Sequence, residues 1–242
     1  MNDIPSREQV IAAYHLIRKQ PPWQHPSSSI SHHRVLPFAT LAPWLDDARF
    51  MGMMALAQAH TMVDIYRCHE LWSLAQQMQR VEGDILEVGV WRGGTGAVLA
   101  MAAPNKQVYL ADTFSGVVKA GANDTRYVGG EHADTSVLLV QALLDSLELS
   151  NVTLLQGIFP EDTAHRVEGK IAMLHCDVDV YDSCRDVVEW CKPRLSRGAV
   201  LVFDDYGFSG CEGVTRYCDA LRAEPGFLFL HNLNGHAVFV KA

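Results

Sequence analysis

Two short stretches concentrate the acidic chemistry of this chain: Leu174-His-Cys-Asp-Val-Asp-Val-Tyr181 and Val202-Phe-Asp-Asp-Tyr206. Each follows an apolar run that reads as a buried strand. Asp177, Asp179, Asp204 and Asp205 are therefore delivered to one sheet edge by two strands read as neighbours. Unpaired, that much negative charge in one place is strongly unfavourable. A hard divalent cation resolves it, and oxygen-only ligands select Mg²⁺, Mn²⁺ or Ca²⁺ over Zn²⁺. His175 is not counted among the ligands. The alternative is that these aspartates cap helices or pair with arginines.

A second stretch, Gly83-Asp-Ile-Leu-Glu-Val-Gly-Val-Trp-Arg-Gly-Gly-Thr-Gly96, carries a different signal. A buried apolar run with one acidic residue, Glu87, meets Gly89, Gly93, Gly94 and Gly96, and a helical pattern follows at Ala97. Strand, glycine turn and helix let a backbone approach a nucleotide and aim a helix N-terminus at it. The spacing is not G-x-G-x-x-G, and no Lys-Ser or Lys-Thr pair follows for a triphosphate. An acid just before the first glycine suits a ligand with cationic or hydroxyl-rich parts, such as S-adenosylmethionine. Asp112 ends the next strand, about 20 residues beyond Gly89, where a carboxylate commonly takes the ribose hydroxyls. After the third strand, Gly157 gives clearance for Ile158 or Phe159 to stack on an adenine, or these side chains cover the sheet edge.

The elements that must position these residues follow from periodicity. Residues 1 to 20 read as one amphipathic helix, with Ser6 and Gln9 as a capping box and Pro21-Pro22 as its stop. Residues 21 to 37 form a polar, proline-bearing connection, either a lid or a linker; His32-His33 within it reads as solvated rather than metal-binding. Residues 46 to about 81 are helical, with Met51, Met53, Met54 and Met62 packing the core or lining an acceptor pocket. Strand candidates lie at 84–90, 107–112, 152–156, 171–177, 199–204, 227–231 and 236–241. Asn232-Leu-Asn-Gly235 joins the last two as a hairpin, so the final strand runs antiparallel. The fold class is α/β: a doubly wound, Rossmann-like, seven-stranded sheet with an N-terminal helical cap, divided at 1–75 and 76–242.

The chain has 242 residues and a net charge of −8, which suits one α/β domain with an extension and speaks against nucleic acid as partner. No apolar run reaches the length of a membrane span, and the N-terminus lacks a signal-peptide plan. Six cysteines without a CxxC pair read as reduced thiols of a cytoplasmic protein. The N-terminal helices suit a homo-oligomer, though no residue fixes one.

Together, Leu86-Glu-Val-Gly-Val-Trp-Arg-Gly-Gly94, Ala111-Asp-Thr-Phe114, His175-Cys-Asp-Val-Asp-Val-Tyr181 and Phe203-Asp-Asp-Tyr206 resemble the macrocin O-methyltransferase family over residues 60 to 242. The resemblance implies a class I methyltransferase that uses S-adenosylmethionine and Mg²⁺ to methylate sugar hydroxyls. It implies a cofactor set of Glu87, Gly89, Trp91, Arg92, Gly93, Gly94, Thr95, Asp112, Thr113, Phe114, Gly157, Ile158, Phe159 and Asp177. It maps the metal onto Asp177, Asp204 and Asp205, with Asp177 as base and Asp179 as the alternative for that role. A lid over residues 21 to 45 would exclude water, and His132 is a secondary base candidate. Competing acceptors are catechols or other phenols; a competing class is an NAD-binding oxidoreductase.

Overall fold

Helical periodicity gives way to strand periodicity near residue 83, and the chain folds accordingly. A computed structural model describes residues 4–35 and 40–242; part of the expected lid, residues 36–39, lies outside them. Helix α1 (Arg7–Arg18) starts at Ser6, whose hydroxyl accepts the Gln9 N–H while the Gln9 side chain accepts the Ser6 N–H, the capping box read from the sequence. Its apolar stripe is not buried: Val10, Ile11, Tyr14 and Leu16 are exposed. The proline-bearing connection is not wholly irregular. It holds a small antiparallel hairpin, β1 (Trp23–Gln24) and β2 (Ser31–His32). His32 is buried, contrary to the solvated reading, and its Nε2 lies 3.2 Å from Oε1 of the fully buried Glu212.

Helices α2 (Ala48–Ala57) and α3 (Ile65–Met78) begin at Asp47 and Asp64, whose carboxylates accept the first free N–H groups of each helix. A 3-10 turn, Gln58–His60, and a short loop separate them. Their inner faces, including Phe50, Met53, Leu71 and Trp72, share one core with Val98 and Leu99 behind the sheet. Met53 and Met54 are core residues, whereas Met62 is largely exposed and borders the cavity described below.

The sheet comprises β3 (Asp84–Val88), β4 (Val108–Asp112), β5 (Val152–Gln156), β6 (Ile171–Cys176), β7 (Leu195–Phe203), β8 (Phe227–His231) and β9 (Ala237–Lys241). Its order is β5-β4-β3-β6-β7-β9-β8. The pairs from β5 through β7 are parallel, and β9 runs antiparallel to both its neighbours. All seven candidate strands are present. Two boundaries move by more than one residue: Gly89 at φ +91° ends β3 at Val88, and β7 starts at Leu195 because Gly198 stays within the strand. Helices α4 (Gly94–Ala102) and α5 (Val137–Ser146) cover one face with α2 and α3. Helices α6 (Tyr181–Cys191) and α7 (Glu212–Leu221) cover the other, over Leu174, Leu201 and Phe239. All six cysteines are free and buried, and no helix among the described residues is long and apolar enough to cross a membrane.

The strand order reverses between β3 and β6, so the crevice at their carboxyl ends is the topological switch. The ends of these two strands are in close contact there. Asp177 N–H donates to the Val88 carbonyl at 2.9 Å, and a Cβ added at Gly89 would stand 1.6 Å from the Asp177 carbonyl oxygen. Only glycine fits this backbone approach, at a φ that side chains also disfavour. Gly89→Ala is therefore expected to destabilise the protein by at least about 2 kcal/mol, read as a lowered midpoint in urea denaturation.

Candidate active site at the carboxyl ends of the strands

The cavity at the switch point is walled by the ends of β3, β4, β6 and β7, the loop after β4 and the turn before α3. Among the residues singled out from sequence, Gly89, Trp91, Thr95, Asp112, Thr113, Gly157, Phe159, Asp177, Asp179, Asp204 and Asp205 line it. Asp112 is not a free carboxylate. Oδ2 accepts the Val90 and Trp91 N–H groups at 2.7 and 2.8 Å, and Oδ1 accepts the Phe114 N–H at 2.7 Å. It thus fixes the glycine turn, and one of its roughly four lone-pair positions is left for a hydroxyl donor in the cavity.

Six expected contacts lie outside the lining. Glu87 is fully buried beneath the turn, where Oε1 bonds His175 Nδ1 at 2.8 Å; Oε2 has no partner among the described residues. Arg92 turns away to Asp134, with Nη2 to Oδ2 at 2.6 Å. Gly93 and Gly94 are small for a different reason than ligand clearance. A Cβ at Gly93 would meet Val140 at 2.8 Å, and one at Gly94 would meet the His60 carbonyl at 2.7 Å. The glycine turn is thus pressed between α5 and the segment after α2. Phe114, at φ +52°, packs into the core, and the Ile158 N–H donates to Asp162 at 2.8 Å. Phe159 does reach the cavity, edge-on to Trp190 with centroids 4.9 Å apart.

The acidic cluster assembles as the sequence suggested. Ligand-capable oxygens of Asp177, Asp204 and Asp205 lie within 4.8 Å of one another; Asp179, Asp205 and Cys211 form a second such group sharing Asp205. Asp179 and Asp205 take left-handed backbone conformations, φ +64° and +62°, a strain typical of functional sites. Sequence reasoning missed what holds Asp204. Arg67 Nη1 pairs with it, and Arg67 Nε donates to Asp64 at 2.9 Å. On its other side, His236 Nε2 lies 3.1 Å from Asp204 Oδ1, and His236 Nδ1 lies 2.6 Å from Glu70. Arg67 and His236 are remote in sequence and part of no local motif, so only the tertiary fold reveals them.

These neighbours split the cluster electrostatically. Burial raises the Asp204 carboxyl, but His236 and Arg67 outweigh it and hold the group down at about 2. Among the described residues no cation pairs directly with Asp177 or Asp205, and the pull of Arg67 on Asp205 is the weaker influence. Burial, then the negative charge of Asp204, pushes both well above the ordinary carboxyl value. Burial works against the charged form of His236, but Asp204 and Glu70 together hold it above the usual histidine value. The donor set is oxygen-rich, crowded and short of cations, so these residues fit a hard divalent ion.

The family model for macrocin O-methyltransferases matches residues 21–233. The chain belongs to this family. It is 33% identical over 186 residues to the 4'-O-methyltransferase of 8-demethyl-8-(2,3-dimethoxy-alpha-L-rhamnosyl)-tetracenomycin-C from Streptomyces olivaceus, covering 68% of this chain and 69% of the relative. It is 32% identical over 199 residues to the mycinamicin III 3''-O-methyltransferase of Micromonospora griseorubida, covering 74% and 78%. Among solved structures, the O-methyltransferase NovP superposes with a TM-score of 0.66 at 24% identity, covering 76% of this chain and 82% of that one. The calicheamicin methyltransferase CalS11 gives 0.63 at 17%, covering 84% and 95%. Both share the class I methyltransferase fold. This member of the macrocin O-methyltransferase family is an S-adenosylmethionine-dependent O-methyltransferase, which removes the NAD-dependent alternative.

The raised groups set the pH response of the metal-free protein. A carboxyl whose folded pKa exceeds its unfolded 3.8 adds stability below 3.8 that is lost as pH rises through the folded value. His236 acts with the same sign: its contribution is whole below 6.5 and lost above its raised folded value. With a chelator present, denaturation free energy should fall as pH climbs from about 4, and Asp177→Asn should flatten that fall.

Proposed function

We propose that this enzyme transfers the methyl group of S-adenosylmethionine to a hydroxyl of a sugar carried by a glycosylated natural product, with a divalent ion such as Mg²⁺ held by Asp177, Asp204 and Asp205. The observation that carries this reading is the convergence of those three carboxylates at the edge of the cavity. Support for the sugar comes from the relatives, one named for a rhamnosyl tetracenomycin and one for mycinamicin III.

S-adenosylmethionine supplies an electrophilic methyl on a sulfonium. A divalent ion in this cluster supplies positive charge that makes a nearby hydroxyl more acidic, the effect that brings water from pKa 15.7 to about 7 in favourable sites. The protein does the rest. Asp112 offers its remaining lone pair to the ribose, and Phe159 with Gly157 walls the adenine side. Asp177, held in place by its N–H to Val88, accepts the proton of the attacking hydroxyl. The charge of Asp204 is balanced by Arg67 and His236, so it keeps its orientation and does not compete for that proton. The N-terminal hairpin is pinned through His32 to Glu212 and through Trp23 Nε1 to the Ser209 hydroxyl, which anchors the segment read as a lid beside α7. Catalysis in this scheme is mainly positioning with one proton transfer.

The test is methyl transfer from S-adenosylmethionine to methyl α-L-rhamnoside, read as a gain of one methyl by mass spectrometry. Wild-type turnover should vanish with EDTA and return with Mg²⁺. Asp177→Asn should lower kcat by about 10²–10⁴-fold while S-adenosylhomocysteine binding by calorimetry stays close to wild type. Full turnover in EDTA would remove the metal from the scheme.

A further inference from the structure

One wall of the cavity is built by a loop that neither the cofactor nor the acidic cluster accounts for. Residues 116 to 134 fold back on themselves. The Val117 N–H donates to the Glu131 carbonyl at 2.9 Å, and the Gly130 N–H returns the bond to Val117 at 2.9 Å. The Glu131 carboxylate accepts the Val128 and Gly129 N–H groups, both at 2.9 Å. Asp134 is tied to the Trp91 indole at 2.9 Å and to Arg92. This bracing accompanies a left-handed backbone at His132, φ +62°, which is uncommon outside glycine. The result is that both His132 and Tyr127 face the cavity.

The two side chains are linked. The Tyr127 hydroxyl lies 3.2 Å from His132 Nε2, and the Asp179 carboxylate stands on its other side, where burial and then this nearby charge raise the phenol's pKa. A carboxylate accepts, so the phenol O–H turns toward Asp179 and the phenol oxygen accepts from His132 Nε2–H. A neutral imidazole protonated at Nε2 carries a lone pair on Nδ1. Nδ1 has no partner among the described residues. Asp179 in turn shares a ligand-distance group with Asp205, so this chain of contacts runs from the acidic cluster to a bare acceptor atom on the cavity wall.

The geometry points to His132, oriented by Tyr127 and Asp179, as a subsite that accepts a hydrogen bond from an acceptor hydroxyl other than the one methylated. The inference rests on the sugar-acceptor reading above and adds a selection rule to it. The enzyme favours acceptors with a further hydroxyl placed for His132, and a two-hydroxyl phenol leaves the subsite unused. Loss of such a bond in a cavity costs about tenfold in kcat/KM.

The experiment measures kcat/KM for methyl α-L-rhamnoside, its monodeoxy analogues and catechol in wild type, His132→Ala, His132→Asn and Tyr127→Phe. In wild type, removal of one hydroxyl beyond the methylated one is expected to cost about tenfold. In His132→Ala the same deoxy analogue and the parent should perform alike, and the Asn carbonyl should restore part of the preference. S-adenosylhomocysteine affinity and the Mg²⁺ requirement should be unchanged in all three variants, which separates this role from a general loss of structure. If His132→Ala keeps the wild-type ratio between parent and every analogue, the subsite is wrong while the sugar reading stands. If wild type methylates catechol and none of the glycosides, the sugar reading falls and the subsite with it.

Discussion

Negative charge confined at one sheet edge is the constraint around which this site is arranged. Four aspartates arrive at the ends of β6 and β7, and the protein supplies cations to only one of them. Asp204 sits between Arg67 and His236, and its charge is secured whatever else enters the cavity. Asp177 and Asp205 are buried in the field of Asp204 with no direct cation pair among the described residues, and they resist ionising despite the pull of Arg67 on Asp205. The arrangement is half neutralised by design of the sequence: enough positive charge to fold, not enough to satisfy the site. A divalent ion held there, as proposed above, would complete it and turn reluctant acids into ligands.

The second requirement is proximity. The switch point brings Gly89 against Asp177 so closely that the glycine turn and the acidic edge share a backbone contact. Asp112 reaches across from β4 to tie Val90 and Trp91 into the same turn. The glycine turn and the acidic cluster are thereby fixed relative to each other by a main-chain bond and by a carboxylate that is itself held by three N–H groups. A reaction that depends on in-line approach gains from such rigidity.

Much of this was legible in the chain. All seven strands, the antiparallel last strand and the meeting of Asp177, Asp204 and Asp205 followed from alternation, apolar runs and residue type. Strand ends are readable because a run of buried residues must stop at a polar one, and the fold class fixes which edge that is. What could not be read was what each glycine or acid faces. Gly93 and Gly94 carry the look of ligand clearance but make room for Val140 and for His60. Glu87 has the position of a ligand contact but is spent inward on His175. Arg67, Glu70 and His236 come from α3 and the turn before β9, and no periodicity links them. His32 was misjudged for the same reason, since its partner Glu212 lies far along the chain.

The seat of the His60 carbonyl on Gly94 has an architectural consequence. The segment joining α2 and α3 rests directly on the first residue of α4, with the His60 carbonyl and the Thr61 Cβ both 2.7 Å from where a Gly94 side chain would begin. Helical cap and nucleotide turn therefore form a single mating surface, cut to a tolerance of one methyl group. Exchanging caps between relatives to alter acceptor preference succeeds only when the donor segment brings the same backbone path over that glycine, so the unit that can be transplanted is the cap together with its landing site.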